Sequence, residues 1–408
     1  MTASSRTYRV AFALVTCLFF LWGFSNHLNG ILIPHLRKAL QLTNFQSTLV
    51  DTAVYFAYFV MALPAGKILQ RLGYQRSLVV GLLIFASGAF LFLPAANYQA
   101  FPVFLVGLFI IGCGLTVLET AANPYAAQLG EASTATRRLN FAQSFNGLAA
   151  FVAPLVGARF ILSGEDLNAQ LPLADQLLRE AQAVKGPYVG LALGLVALAL
   201  VFWFFPFPSL TGPNDRQSNV SPKVPLPPQV WRAVFAQFFY VGAQVGVSSF
   251  FIRLAMVAGE VDERTAGYYL GIYGLLFMVG RFAGTVLLRW VVAARLLAIY
   301  AVICILASAM AIYSTGLLVL IALGGLGFFM SIMFPTIFSL GIEGLGSRSR
   351  EASSWLVMAI IGGAIFPLGM GAMIDWTGDN VQAGFWIPLI CYGVVLYTAL
   401  TWKSNVLS

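Results

Sequence analysis

The run "FPVFLVGLFIIGCGLTVLETAANPY", residues 101–125, decides the fold. It holds no charged residue before Glu119, and none lies between Glu119 and Arg76 upstream. A barrel strand in a membrane alternates apolar and polar residues over about ten positions. This run does not alternate and is about twice that length, which suits a helix crossing a hydrocarbon core about 30 Å thick. A charge at the centre of such a helix costs about 2.5–3.5 kcal/mol on insertion scales. Glu119 therefore needs a reason to be there.

The whole chain repeats the pattern. Of 408 residues, 59% are hydrophobic and 9% charged, with a mean hydropathy of +0.84. Soluble domains carry roughly 25% charged residues, so this chain cannot cover a surface in water. Apolar runs predict twelve transmembrane helices near 10–33, 46–70, 77–95, 100–124, 139–162, 187–207, 231–257, 266–289, 295–314, 316–341, 352–373 and 383–402. The first run carries no clear cleavage site, so it is expected to be retained.

The net charge of +8 reads as topology rather than as a nucleic-acid signal. Fifteen Lys and Arg fall on the side of the N-terminus, among them Arg6, Arg71, Arg137 and Arg348. Five fall on the other: Arg37, Lys38, Arg179, Lys185 and Arg264. The positive-inside rule then predicts that both termini are cytoplasmic, in an inner or plasma membrane. Arg253 and Arg281, near helix ends, are expected to snorkel or pair locally. Cys17, Cys113, Cys304 and Cys391 lie in apolar segments without metal-ligand spacing and are expected to be inert packing residues.

A Pro- and Ser-rich segment, "PFPSLTGPNDRQSNVSPKVPLPPQ" (206–229), splits the helices six and six. It predicts an N-terminal half over 1–207, a cytoplasmic linker over 208–230 and a C-terminal half over 231–408. A second polar segment, 163–186, is a candidate short surface helix. The halves echo each other. "GKILQRLGYQR" (66–76) and "GTVLLRWVVAAR" (284–295) both begin Gly-x-x-x-x-Arg. "NPYAAQLG" before Arg137 and "FPTIFSLG" before Arg348 share the same Pro–Gly–Arg spacing. Two corresponding six-helix halves suit a transporter with its substrate near the midplane.

Polar side chains line particular helix faces. Trp22, Asn26 and Asn29 stand at i, i+4, i+7, as do Asp51, Tyr55 and Tyr58. Glu119 and Asn123 are one turn apart, and Pro124 disfavours helical geometry at Asn123. Gln143 and Asn146 share a face, and so do Gln237, Tyr240 and Gln244. Amides and carboxylates bind hydroxyls, and aromatic rings stack on C–H faces, so the pattern suits a sugar. Amides also hold transmembrane helices together, so each of these residues has a packing alternative. Tyr55, Tyr58 and Trp22 have it most strongly, and His27, off the Trp22 stripe, reads as a structural or vestibule residue.

"LETAANPY", "RLNFAQSFN", "NGILIPHL", "AQFFYVGAQ" and "FPTIFSLGI" resemble the L-fucose:proton symporter family of the major facilitator superfamily. Bacterial glucose/galactose and N-acetylglucosamine permeases share parts of the pattern. The resemblance runs from the first helix to about the eleventh. It implies an all-α membrane protein of twelve helices that takes up a sugar with a proton by alternating access. "GKILQRLGYQR" also resembles the superfamily's loop motif, with Gln70 where an Asp is usual. The resemblance implies two important carboxylates. One matches Glu119. The other, in the first helix, is replaced by Gly30 beside Asn29, and Asp51 is the candidate to stand in for it.

The expected function is import of a monosaccharide, L-fucose or a hexose, by proton symport. Glu119 and Asp51 are the candidate coupling residues. Trp22, Asn26, Asn29, Tyr55, Glu119, Asn123, Gln143, Asn146, Gln237, Tyr240 and Gln244 are the candidate sugar ligands. Apolar surroundings favour the neutral form of a carboxyl, so such a group can load and release a proton near neutral pH. Sodium coupling through Asp51 and the asparagines stays open. A sugar or drug exporter would show a more purely apolar cavity, and a membrane sensor would need a signalling domain. No catalytic triad, metal cluster or nucleotide loop stands out, so no enzyme, metal or cofactor is expected. The expected partners are the sugar and the lipid bilayer, for a monomer.

Overall fold

The computed structural model describes residues 5–40, 44–160, 182, 184–208 and 225–402. Most of the candidate surface helix over 163–186 and most of the 208–230 linker lie outside these residues. No strand occurs among the described residues.

The helices run α1 Ser5–Ala39, α2 Asn44–Phe90, α3 Phe92–Asn97, α4 Phe101–Gln128, α5 Ala135–Phe160, α6 Lys185–Phe204, α7 Pro228–Val257, α8 Glu263–Leu287, α9 Ala293–Tyr313, α10 Leu317–Met330, α11 Met333–Ile342, α12 Ser349–Met358, α13 Gly362–Trp376, α14 Val381–Gly384 and α15 Trp386–Leu400. Among the described residues, ten stretches are long and apolar enough to cross a membrane. One of them, Thr52–Asn97, holds two passes on either side of Gly73. With that division made and α5 added, the helices reach the twelve that the sequence predicts.

Several predicted spans are built from shorter pieces. α2 turns at Gly73, where φ is 73° and ψ 179°, a region open essentially to glycine alone. α10 and α11 form one span broken at Ser331–Ile332, and α12 and α13 are joined by a 3-10 turn at Ala359–Ile361.

Packing divides the chain into two compact units. One comprises residues 1–122 with 148–208, the other 123–147 with 209–408. The segment 123–147 goes with the second unit because its polar side chains bond there. Asn140 Nδ2 donates to Thr336 Oγ1 at 3.2 Å, Gln128 Nε2 to Ser349 Oγ at 2.6 Å, and the Thr136 and Ser339 hydroxyls lie 2.8 Å apart.

In the first unit, the second arm of α2 meets α4 through four glycines. Gly81 and Gly88 face Gly114 and Gly107, so closely that a Cβ on Gly114 would sit 2.5 Å from the Phe85 nitrogen. Phe92 stacks on Tyr188 with centroids 3.8 Å apart. Gln75 Nε2, just past the Gly73 turn, donates to carbonyls at the end of α6 and just beyond it, at 2.9 Å to Phe202 and 3.0 Å to Phe205. In the second unit α7 packs on α13, α15 and α11. Gly362 lets α13 approach so near that a Cβ there would meet the Phe238 oxygen at 2.1 Å.

The sequence echo has a structural counterpart. After α4 comes the 3-10 turn Ala132–Thr134, then α5. After α11 comes the 3-10 turn Gly346–Arg348, then α12. Arg138 staples the first of these turns, donating to the Ala127 oxygen at 2.5 Å, to the Glu131 oxygen at 2.7 Å, and to the Thr134 hydroxyl.

The remaining small expectations divide. Cys304 and Cys391 are buried, as packing residues should be, whereas Cys17 is exposed on α1. Arg253 pairs locally, with Asp379.

Candidate functional site

The first unit holds Glu119 buried. Glu119 is 3% exposed. The Tyr58 hydroxyl donates to Glu119 Oε1 at 3.0 Å. The other oxygen, Oε2, is buried with no hydrogen-bond partner. The half-buried Asn26 side chain lies beside the Tyr58 hydroxyl. Three helices thus meet at one carboxyl: α1 through Asn26, α2 through Tyr58 and α4 through Glu119. An orphaned buried acceptor costs roughly 1–3 kcal/mol, so the arrangement suits a group that gains a proton or a ligand donor. Trp22 is buried and stacks on Phe19 at 5.3 Å, and Tyr55 is half-buried. The side chains of Asn29 and Asp51 lie outside the described residues.

The second unit holds a chain of amides on a buried guanidinium. Gln143 Nε2 donates to Asn123 Oδ1 at 3.0 Å. Arg281 Nη1 donates to the main-chain oxygen of Gln143 at 2.5 Å and meets Gln143 Oε1 and Asn146 Oδ1, each at 3.3 Å. Its carbon Cζ lies 4.6 Å from the Phe277 ring centroid. Asn123 Nδ2 is buried without a partner.

Two prolines open this network. Pro335 has no N–H, so the carbonyl of Ser331 loses its helical donor. Arg281 Nε supplies the missing bond at 3.1 Å. Where the same span breaks, the Tyr240 hydroxyl donates to the Met330 oxygen at 2.9 Å. Pro124 stands at the corresponding place in α4 and removes the helical donor of the Thr120 carbonyl. Gly147 makes room for the cation, since a Cβ there would lie 3.2 Å from Arg281 Cδ.

Of the two expectations for Arg281, snorkelling or local pairing, the structure excludes the first. Arg281 is 4% exposed and six residues inside the end of α8, so it neither snorkels nor sits at a surface. Its signal was present, because it is the one charge between Arg264 and Arg289. In sequence Tyr58 has a packing role, and the structure adds a hydrogen bond to Glu119. Of the α7 candidates, Tyr240 spends its hydroxyl on Met330, and Gln237 is fully buried with both amide atoms unpartnered. Gln244 is half-buried. Among the described residues no group of three or more His, Cys, Asp or Glu could hold a metal ion.

Residues 14–359 match the family model described as Major Facilitator Superfamily. The chain belongs to the major facilitator superfamily. It is 40% identical to the L-fucose-proton symporter of Escherichia coli, over 97% of this chain and 93% of that protein. It is 38% identical to a glucose/galactose transporter of Brucella abortus, over 98% of this chain and 95% of the relative. The crystal structure of the superfamily transporter FucP in the outward conformation superposes with a TM-score of 0.85 at 36% identity, covering 98% of this chain and all of that one. The fold is therefore the all-α, multi-pass membrane architecture of the superfamily.

Proposed function

We propose that this chain imports a monosaccharide, L-fucose or a hexose, by symport with a proton through alternating access. One observation carries the reading: Glu119 is buried, bonded on one oxygen to Tyr58, and unpartnered on the other. Such a carboxyl can bind a proton or a sugar hydroxyl, which is what coupling demands. The similarity to an L-fucose-proton symporter and to a glucose/galactose transporter supports the substrate class. In the second unit Asn123, Gln143, Asn146 and Gln244 would supply polar contacts; in the first, Asn26 would supply a polar contact and Trp22 and Tyr55 aromatic faces, each taken by itself. No cofactor is needed. The protein works as a monomer in the inner or plasma membrane, with both termini cytoplasmic.

Uptake into vesicles, with a panel of labelled sugars and imposed proton or sodium gradients, tests this reading. Adding the sugar to deenergised cells is expected to make the medium alkaline. Unchanged external pH together with sodium-dependent uptake would replace proton by sodium in the mechanism.

The second proposed coupling group is Asp51. Gly30 occupies the place where the resemblance puts a carboxylate, and Asp51 is the acid in the N-terminal half that can replace it. Asp51→Asn is expected to lose active uptake, and Gly30→Asp in that background to restore part of it. Normal transport by Asp51→Asn, measured in the same vesicles, would leave Glu119 as the coupling residue.

A further inference from the structure

The amides around Arg281 have a fixed hydrogen-bond direction. A guanidinium carries five N–H donors and no acceptor. An amide that meets it must turn its oxygen inward, because the opposite orientation sets donor against donor. Gln143 and Asn146 both do so, with Oε1 and Oδ1 each 3.3 Å from Nη1. The main-chain oxygens of Gln143 and Ser331 hold the guanidinium in place at 2.5 and 3.1 Å.

The direction then propagates. With its oxygen committed to Arg281, Gln143 has only Nε2 to offer, and it donates to Asn123 Oδ1 at 3.0 Å. That commits the Asn123 oxygen in turn and leaves Nδ2 buried and unpartnered. Asn146, half-buried, likewise has its amide nitrogen left over. Both free positions are N–H donors.

We propose that Arg281 is a positioning residue that sets specificity. It orients the amide chain so that the groups Asn123 and Asn146 leave unpaired are N–H donors. A ligand here must offer lone pairs, as a sugar hydroxyl or ring oxygen does when it accepts. The inference rests on the sugar-transport reading above, and it assigns one direction to the hydrogen bonds of that site.

Analogue binding reads the direction. Fluorine in place of a hydroxyl keeps an acceptor and removes the donor, whereas the deoxy sugar loses both. Each hydroxyl of the transported sugar is replaced in turn, and the analogues compete against labelled sugar on purified protein. At the position facing the amides, the deoxy analogue is expected to bind roughly two- to tenfold more weakly than the fluoro analogue, the worth of one net hydrogen bond. Arg281→Gln, which can donate or accept, is expected to bring that ratio to about one. Arg281→Lys, again a pure donor, retains the ratio with weaker overall binding. A ratio unchanged in Arg281→Gln would overturn the proposal.

A second measurement needs no sugar. Gln143→Glu keeps an oxygen toward Arg281, and Asn123 can turn its nitrogen to the other oxygen. Its melting temperature in detergent is expected to match or exceed that of the parent. In an Arg281→Met background the same change leaves a buried carboxylate unpaired and should lower the midpoint by several degrees. An equal loss in both backgrounds would overturn the proposal. Should no sugar of the panel compete, the transport reading fails while this cycle still decides the role of Arg281.

Discussion

Glu119→Gln is expected to abolish gradient-driven sugar accumulation while the protein still inserts and folds. The substitution is nearly isosteric and removes the proton that can be exchanged. Tyr58 remains able to bond the new amide, so packing at the meeting point of α1, α2 and α4 is kept. In the proposed mechanism the substitution removes the change between a neutral and a charged side chain, and with it the step by which a proton gradient would drive uptake. Exchange of sugar down its own gradient does not need that step and is expected to persist. Tyr58→Phe provides the contrast. It removes the donor at 3.0 Å but leaves the carboxyl, so uptake should fall on the order of tenfold without loss of accumulation, as for one bond to a charged group. Transport of labelled sugar with and without an imposed proton gradient separates the two variants. Full accumulation by well-inserted Glu119→Gln would remove Glu119 from the coupling mechanism.

Gly114→Leu is expected to prevent recovery of a folded, monodisperse protein, and Gly114→Ala to lower its melting temperature. A Cβ on Gly114 would stand 2.5 Å from the Phe85 nitrogen and 2.8 Å from the Gly81 oxygen. On the opposite helix, a Cβ on Gly88 would stand 2.6 Å from the Ile111 nitrogen and 2.7 Å from the Gly107 oxygen. These neighbours are backbone, and backbone in a helix cannot rotate aside as a side chain can. In lipid, helix association rests on close packing rather than on escape from water, so separating α4 from the second arm of α2 removes what holds them. Overpacking typically costs about 1–3 kcal/mol, and here both helices must shift. Gly190→Ala on α6 is the control. Nothing lies within 4 Å of its added Cβ, and alanine favours a helix over glycine by about 1 kcal/mol. Its midpoint in detergent should stay level or rise. Equal midpoints for Gly114→Ala and the parent would show that the two helices are not held by this contact.

The sequence by itself determined the membrane, the helices and their number, because the cost of charge and unpaired backbone in lipid acts on every residue and leaves a mark at every position of the chain. It also singled out Glu119, whose isolation between uncharged residues is visible without coordinates, and the paired Pro–Gly–Arg spacings of the two halves. The tertiary structure alone decided which partners those residues have. Arg281 was legible as a charge in an apolar span, but its position near the end of α8 suggested a path to water. Only the packing of 123–147 into the second unit, and the carbonyl that Pro335 sets free at Ser331, brings neutral oxygens to it. Tyr58 and Asn26 stood on separate helix stripes, and nothing in their spacing says that α1 and α2 meet α4 at Glu119. The stripes of α7 looked alike in sequence, yet Tyr240 is spent on Met330 while Gln237 has no partner at all. The physical reason is one of range. Hydropathy and helix periodicity are local and additive, so a single chain displays them, whereas a hydrogen bond depends on angstrom-scale distances between segments far apart in sequence, which are set only when the helices pack.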